Sequence, residues 1–166
     1  MLLLMCGCPN QPNTYASHLR REPIEIPERE LRPYVQMGAF EASTHILRGI
    51  SYDIREQSWR WAADDAALRL RMPAASGVRF VMHFAIPEAT FQRTGPVTSS
   101  VFVEGREIGS IRCDSPGSYY FDKPVPDGVV PAGTRAEVRI RSDKAWVDPV
   151  NNARLSLQMA EAGFVK

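Results

Sequence analysis

Val78-Arg79-Phe80-Val81-Met82-His83-Phe84-Ala85-Ile86 carries an apolar side chain at every second position, with Arg79, Val81, His83 and Ala85 between them. Successive side chains of a strand point to opposite faces, so Val78, Phe80, Met82, Phe84 and Ile86 are expected in a core and the others on a sheet surface. The same period recurs downstream. Ala136, Val138 and Ile140 oppose Glu137, Arg139 and Arg141, and Leu155, Leu157 and Met159 oppose Ser156, Gln158 and Ala160. Only Glu88–Arg93 reads as a short helical turn.

Gly and Pro punctuate the runs at sandwich-like intervals. Strands are expected near Ala39–Glu41, Ile46–Ile54, Ala67–Arg71, Val78–Ile86, Thr98–Val103, Arg106–Cys113, Gly117–Phe121, Ala136–Ser142 and Arg154–Ala160. Val103-Glu-Gly-Arg-Glu-Ile108 is the clearest hairpin, because Gly105 can take the positive φ of a tight turn. The expected fold is all-β, an antiparallel two-sheet β-sandwich of jelly-roll type, over residues 37–166.

Residues 9–36 differ in character. Pro9, Pro12, Pro23, Pro27 and Pro33 are spaced by Asn, Gln, Arg and Glu, which reads as a polar tether. Before it, Met1-Leu-Leu-Leu-Met-Cys-Gly-Cys8 resembles the end of a bacterial lipoprotein signal peptide, in which Cys8 receives the lipid. The apolar run Met1–Cys6 is far short of the roughly 20 residues of a spanning helix. The expectation is therefore a lipid-anchored protein of the bacterial cell envelope with no transmembrane helix. A frayed cytosolic N-terminus is the plainer alternative. Cys113, in a strand-like run, reads as a small buried hydrophobe.

Twenty Lys and Arg against nineteen Asp and Glu give a net charge of +1 over 166 residues, too little for a long-range field that gathers nucleic acid or an anionic bilayer onto the fold. No Gly-x-Ser-x-Gly elbow, Gly-rich phosphate loop or paired-cysteine metal signature occurs, and no catalytic residue, cofactor or metal is expected.

Trp59-Arg-Trp61 with Ala67-Leu-Arg-Leu70, Pro96–Val103 with Glu104-Gly-Arg-Glu-Ile108, Ser142-Asp143 with Trp146 and Pro149, and the closing Leu155–Phe164 together resemble a family of bacterial β-sandwich modules. Such modules occur beside glycosyltransferases or in exported proteins. The resemblance implies a jelly roll related to carbohydrate-binding modules and galactose-binding-like domains, without catalysis.

Ser142-Asp-Lys-Ala-Trp-Val-Asp-Pro-Val-Asn-Asn152 is the leading candidate for a ligand site. Trp146 would stack on a sugar ring and Asp143, Asp148 and Asn151 would bind its hydroxyls, with Arg139 and His83 on the margin. An Asx-type turn with Trp146 closing the core would look the same in sequence. Trp59 and Trp61 share a strand face and are either a stacking pair or core residues. Asp64 and Asp65 are turn formers or, with other ligands, a cation site. Three function classes follow: a glycan-binding module of an envelope lipoprotein, a structural or protein-interaction subunit of an envelope or polysaccharide-assembly complex, and a hydrolase using Asp143 with Asp148 or Asp64 with Asp65. The first is preferred.

Overall fold

The computed structural model describes residues 31–166. In chain order these form β1 (Tyr34–Gln36), a 3₁₀ turn (Phe40–His45), β2 (Ile46–Ile50), β3 (Arg60–Arg71), β4 (Arg79–Ile86) and α1 (Glu88–Thr94). β5 (Val97–Val103), β6 (Arg106–Cys113), β7 (Gly117–Pro124), β8 (Arg135–Ser142), β9 (Trp146–Val147), β10 (Arg154–Leu155) and β11 (Leu157–Val165) complete the chain. Every pairing is antiparallel.

The twelve-residue β3 organises the sandwich. Its C-terminal half, Asp65–Arg71, pairs with Arg141–Arg135 of β8, and its N-terminal part, Arg60–Ala62, pairs with Met159–Leu157 of β11. One strand thus belongs to both layers. The first sheet runs β6-β5-β8-β3 with β2 on the far side of β3, and the second runs β3-β11-β4-β7 with β1 beside β11. At the open ends of this path β6 comes against β7: a Cβ on Gly109 would press on the Lys123 side chain.

Alternation decides what lies between the layers. Val78, Phe80, Met82, Phe84 and Ile86 are all buried, as are Ala136, Val138 and Ile140, in agreement with the period read from sequence. Phe80 packs against Phe164 and Phe121 with ring centroids 5.7 and 6.3 Å apart. Each such side chain contributes about 1.5–3 kcal/mol of burial. Cys113 is buried with them, and burial together with Asp114 and Asp143 pushes its thiol up to about 11, as suits an inert packing residue. The Val103–Ile108 hairpin closes over Glu104 and Gly105, both at positive φ.

Four expectations change. Ala39–Glu41 is not a strand. Phe40–His45 winds into a 3₁₀ turn in which Thr44 Oγ1 donates to the Glu41 carbonyl at 2.7 Å, a local bond that competes with a ladder. The run Ile46–Ile54 stops at Ile50: Gly49 has φ +69°, a Cβ there would overlap the Asp65 carbonyl, and the chain turns at Ser51, whose hydroxyl accepts the Asp53 N–H. Arg154–Ala160 is broken at Ser156, so Leu155 is only half-buried while Leu157 and Met159 are buried. The folded part also starts before residue 37. Tyr34, Val35 and Gln36 pair with Gly163, Ala162 and Glu161, and Leu31 and Val35 are buried. Residues 9–30 of the expected tether, and the lipoprotein signal with Cys8, lie outside the described residues.

Arg60 is fully buried and has no ion pair among the described residues. Its Nε donates to the Met37 carbonyl at 2.8 Å, one terminal nitrogen donates to Ser51 and Tyr52 at 3.3 and 2.6 Å, and the other donates to Ala39 at 3.2 Å. Burial lowers its pKa from the ordinary arginine value. Arg60→Ala would strand four acceptors and open a void, and is expected to cost about 3 kcal/mol or more. Arg55→Ala, whose partner Asp53 is exposed and 4.0 Å away, is expected within about 0.5 kcal/mol. Urea denaturation of both checks this, and equal midpoints would show that the guanidinium holds nothing.

Candidate functional site

The Ser142–Asn152 loop folds as a small hairpin, with Trp146 and Val147 of β9 paired to Leu155 and Arg154 of β10. Its polar side chains turn back on the backbone. Asp148 Oδ1 accepts the Val150 N–H and Asn151 Oδ1 accepts the Ala153 N–H, both at 2.9 Å. Asp143 Oδ1 accepts the Thr98 N–H at 2.8 Å, which ties the start of the loop to β5. Trp146 is half-buried at the base, outside the main core cluster. The structure therefore gathers Trp146, Asp148 and Asn151 in one hairpin and gives each polar member an Asx-type bond. Arg139 is on the outer face of the first sheet, and His83 is exposed on the second, facing Tyr120 and Glu161 across its neighbouring strands.

Asp64 and Asp65 form two separate ion pairs. Asp64 holds Arg154 through both carboxylate oxygens, one at 2.7 Å, and Asp65 holds Arg139 at 2.7 and 2.9 Å. The Arg154 hydrogen bond and the Arg139 hydrogen bond keep the respective carboxyls below their ordinary pKa, although partial burial opposes this. A general acid needs the opposite shift, and the two groups serve different arginines on different strands. No cluster of three or more His, Cys, Asp or Glu able to hold a metal occurs among the described residues.

The outer face of the second sheet has another character. Because Arg60 and Ala62 point inward, Trp59 and Trp61 point outward, half-buried and apart from the core cluster. Their rings meet edge to face with centroids 5.4 Å apart, and the Trp59 indole N–H donates to Glu56 at 3.3 Å. The pair thus lies outside the core cluster while remaining partly buried. Gln158 lies beside Trp61 in register, followed along β11 by Glu161, which is flanked by Gln36 and His83. Burial and the adjacent Glu161 carboxylate raise the Tyr34 phenol above its ordinary pKa, so it stays a donor. Between this face and the Arg60 loops lies a recess of about 470 Å³, lined by Gln36, Gly38, Ala39, Gln57, Ser58, Ala160 and Glu161. Flat indoles, amides, one carboxylate and a phenol give stacking surfaces together with hydrogen-bond donors and acceptors. The spacing of Trp59 and Trp61 signalled the pair in sequence, but Gln158, Glu161 and Tyr34 gave no sign, since only register brings them alongside.

No family profile matches the sequence. No curated protein matches it either. Among solved structures, the chain is similar to a CBM35 module from Cellvibrio japonicus at 14% identity and TM-score 0.46, covering 80% of this chain and 91% of that one. A second CBM35, solved with a disaccharide containing glucuronic acid, gives 13% identity, TM-score 0.46 and coverage of 80% and 92%. An exo-β-1,3-galactanase from Phanerochaete chrysosporium gives 7% identity and TM-score 0.43, and the similarity takes in 81% of this chain but 29% of the galactanase.

The two aspartate pairs set an acid limit. Both carboxyls have folded pKa values below the unfolded value of about 3.9, so the stability they add is present above about pH 4 and is lost as pH falls through their folded values. Thermal melts on the acid side of about pH 4 are expected to fall steeply in the parent and less steeply in Asp64→Asn. Identical slopes would remove the ion pairs as the cause.

Proposed function

We propose that the chain is a non-catalytic carbohydrate-binding module of a bacterial envelope lipoprotein, anchored through Cys8, with Trp59 and Trp61 as its stacking platform. The observation that carries this reading is the pair of half-exposed indoles on an outer sheet face, outside the core and bordered by Gln158, Glu161 and Gln36. A pyranose presents a C–H face to an aromatic ring and its hydroxyls to the rim, and this surface offers both kinds of contact. Trp146 with Asp148 and Asn151 forms a second, smaller platform. Its side-chain oxygens are already engaged in the turn, so it ranks behind the sheet face.

A glycan array of the full chain, followed by titration of the best ligand, tests the assignment. Trp59→Ala and Trp61→Ala are expected to weaken binding by about 1 kcal/mol or more, roughly five- to tenfold, with melting temperatures near that of the parent. Trp146→Ala is expected to change affinity less. Loss of binding in Trp146→Ala alone would return the site to the Ser142–Asn152 loop.

An interaction subunit of an envelope complex is the second reading, and Phe40 and Tyr52 favour it. They are 84% and 68% exposed, on the two loops that Arg60 ties together. Silence on the array, with envelope crosslinking that Phe40→Ser and Tyr52→Ser abolish, would establish that reading instead. The anchor is tested separately: the parent is expected in the membrane fraction and Cys8→Ser in the soluble fraction, because acyl chains supply the attachment. The same distribution for both would remove the lipoprotein assignment.

A further inference from the structure

The outer face of the first sheet is built from arginine. Along the β3–β8 ladder Arg71 stands opposite Arg135, Arg69 opposite Glu137, Ala67 opposite Arg139 and Asp65 opposite Arg141, and Arg48 of β2 reaches over the same surface. Six guanidinium groups of β2, β3 and β8 share this face with Asp65, Glu104 and Glu137, and towards β5 and β6 with Glu107, opposite Phe102, and Asp143, near Arg141. Asp65, Glu104 and Glu137 are already engaged. Asp65 holds Arg139 at 2.7 Å, Glu137 holds Arg48 at 3.2 Å, and Glu104 accepts the Glu137 backbone N–H at 2.7 Å. Arg69, Arg71, Arg135 and Arg141 make no ion pair among the described residues.

Like charges directly opposite on neighbouring strands destabilise a sheet, so the Arg71–Arg135 register works against folding. Arg135 and Arg141 are separated by six residues on one strand, about 20 Å, which spreads free cations over the length of the ladder. This face also lacks an indole platform: its aromatic residue, Phe102 opposite Arg139, is half-buried, and the shallow recess near Arg69 and Arg135 contains Glu104 and Glu137 as well. A sugar chain would find little to stack on. A planar array of phosphate headgroups needs only several guanidinium donors at one height, and the face supplies them.

We propose that the outer face of the first sheet docks on an anionic phospholipid surface through Arg69, Arg71, Arg135 and Arg141. The proposal stands independently of what the indoles bind.

The test uses the full chain with Cys8→Ser, so that no acyl anchor contributes, in co-sedimentation with phosphatidylcholine vesicles with and without phosphatidylglycerol. Binding to the phosphatidylglycerol vesicles is expected at least tenfold above binding to pure phosphatidylcholine, and is expected to fall with added salt. Arg71→Glu places a carboxylate opposite Arg135, so it should melt no lower than the parent while binding at least fivefold more weakly. Arg141→Glu, at the other end of the ladder, should do the same, and Trp59→Ala should bind as the parent does. Equal binding to both vesicle types, or unchanged binding in both arginine variants, would overturn the proposal. Loss of vesicle binding in Trp59→Ala equal to that in Arg71→Glu would also overturn it, since the contact would then lie on the other sheet. Retention on a soluble polyuronate with no vesicle binding would assign the face to an acidic polymer instead.

Discussion

A single buried guanidinium fixes the geometry of one end of this molecule. Arg60 gives its hydrogens to the carbonyls of Met37, Ala39, Ser51 and Tyr52, which belong to the two loops on either side of the 3₁₀ turn and β2. The ladders reach only the first residue of each, through the Met37 N–H to Ala160 at 2.7 Å and the Ser51 N–H to Trp61 at 2.8 Å. The cost of taking the charge out of water is met by carbonyl dipoles rather than by a carboxylate, and a planar fork is needed to reach several acceptors at once. An ammonium group would not span them. Since strand alternation makes Arg60 point inward, it also makes Trp59 and Trp61 point outward. The buried charge and the outward-facing, half-buried indoles are two results of one placement.

The two outer faces differ because β3 changes layers along its length. In its first residues it borders β11 and shows indoles, and in its last seven it borders β8 and shows Asp65, Arg69 and Arg71. Asp64 and Asp65 sit at the change. One is bound to Arg154 beyond the hairpin and the other to Arg139 on the flat of the first sheet, so the crossover is clasped on both sides.

What the sequence disclosed follows from the range of the interactions involved. Period-two alternation is local, and it identified the faces of Val78–Ile86 and Ala136–Ile140 together with the Glu104-Gly105 turn. The strand β1 was hidden because its three residues follow directly on the proline-rich run that ends at Pro33, and only the edge offered by β11 gives them a partner. Arg60 carried no signal, since an arginine between two tryptophans is equally compatible with either face. Asp64 and Asp65 looked like a turn or a cation site because their arginines lie 90 and 74 residues away. For Asp148 and Asn151 the reverse holds: both the sugar-site and Asx-turn readings were visible locally, and the structure shows the turn bonds made.

The position of β11 bears on the order in which the molecule can assemble. It is the last strand in the chain, yet it lies inside the second sheet, with β4 along one side and β3 and β1 along the other. Without Leu157–Val165, Phe80 lacks Phe164, Tyr34 has no strand beside it, and Ala62 has only Ile50 of β2. The strands of the first sheet all precede β11, but the second sheet must close over long stretches of chain. Closure of the second sheet thus waits on a strand more than seventy residues beyond β4.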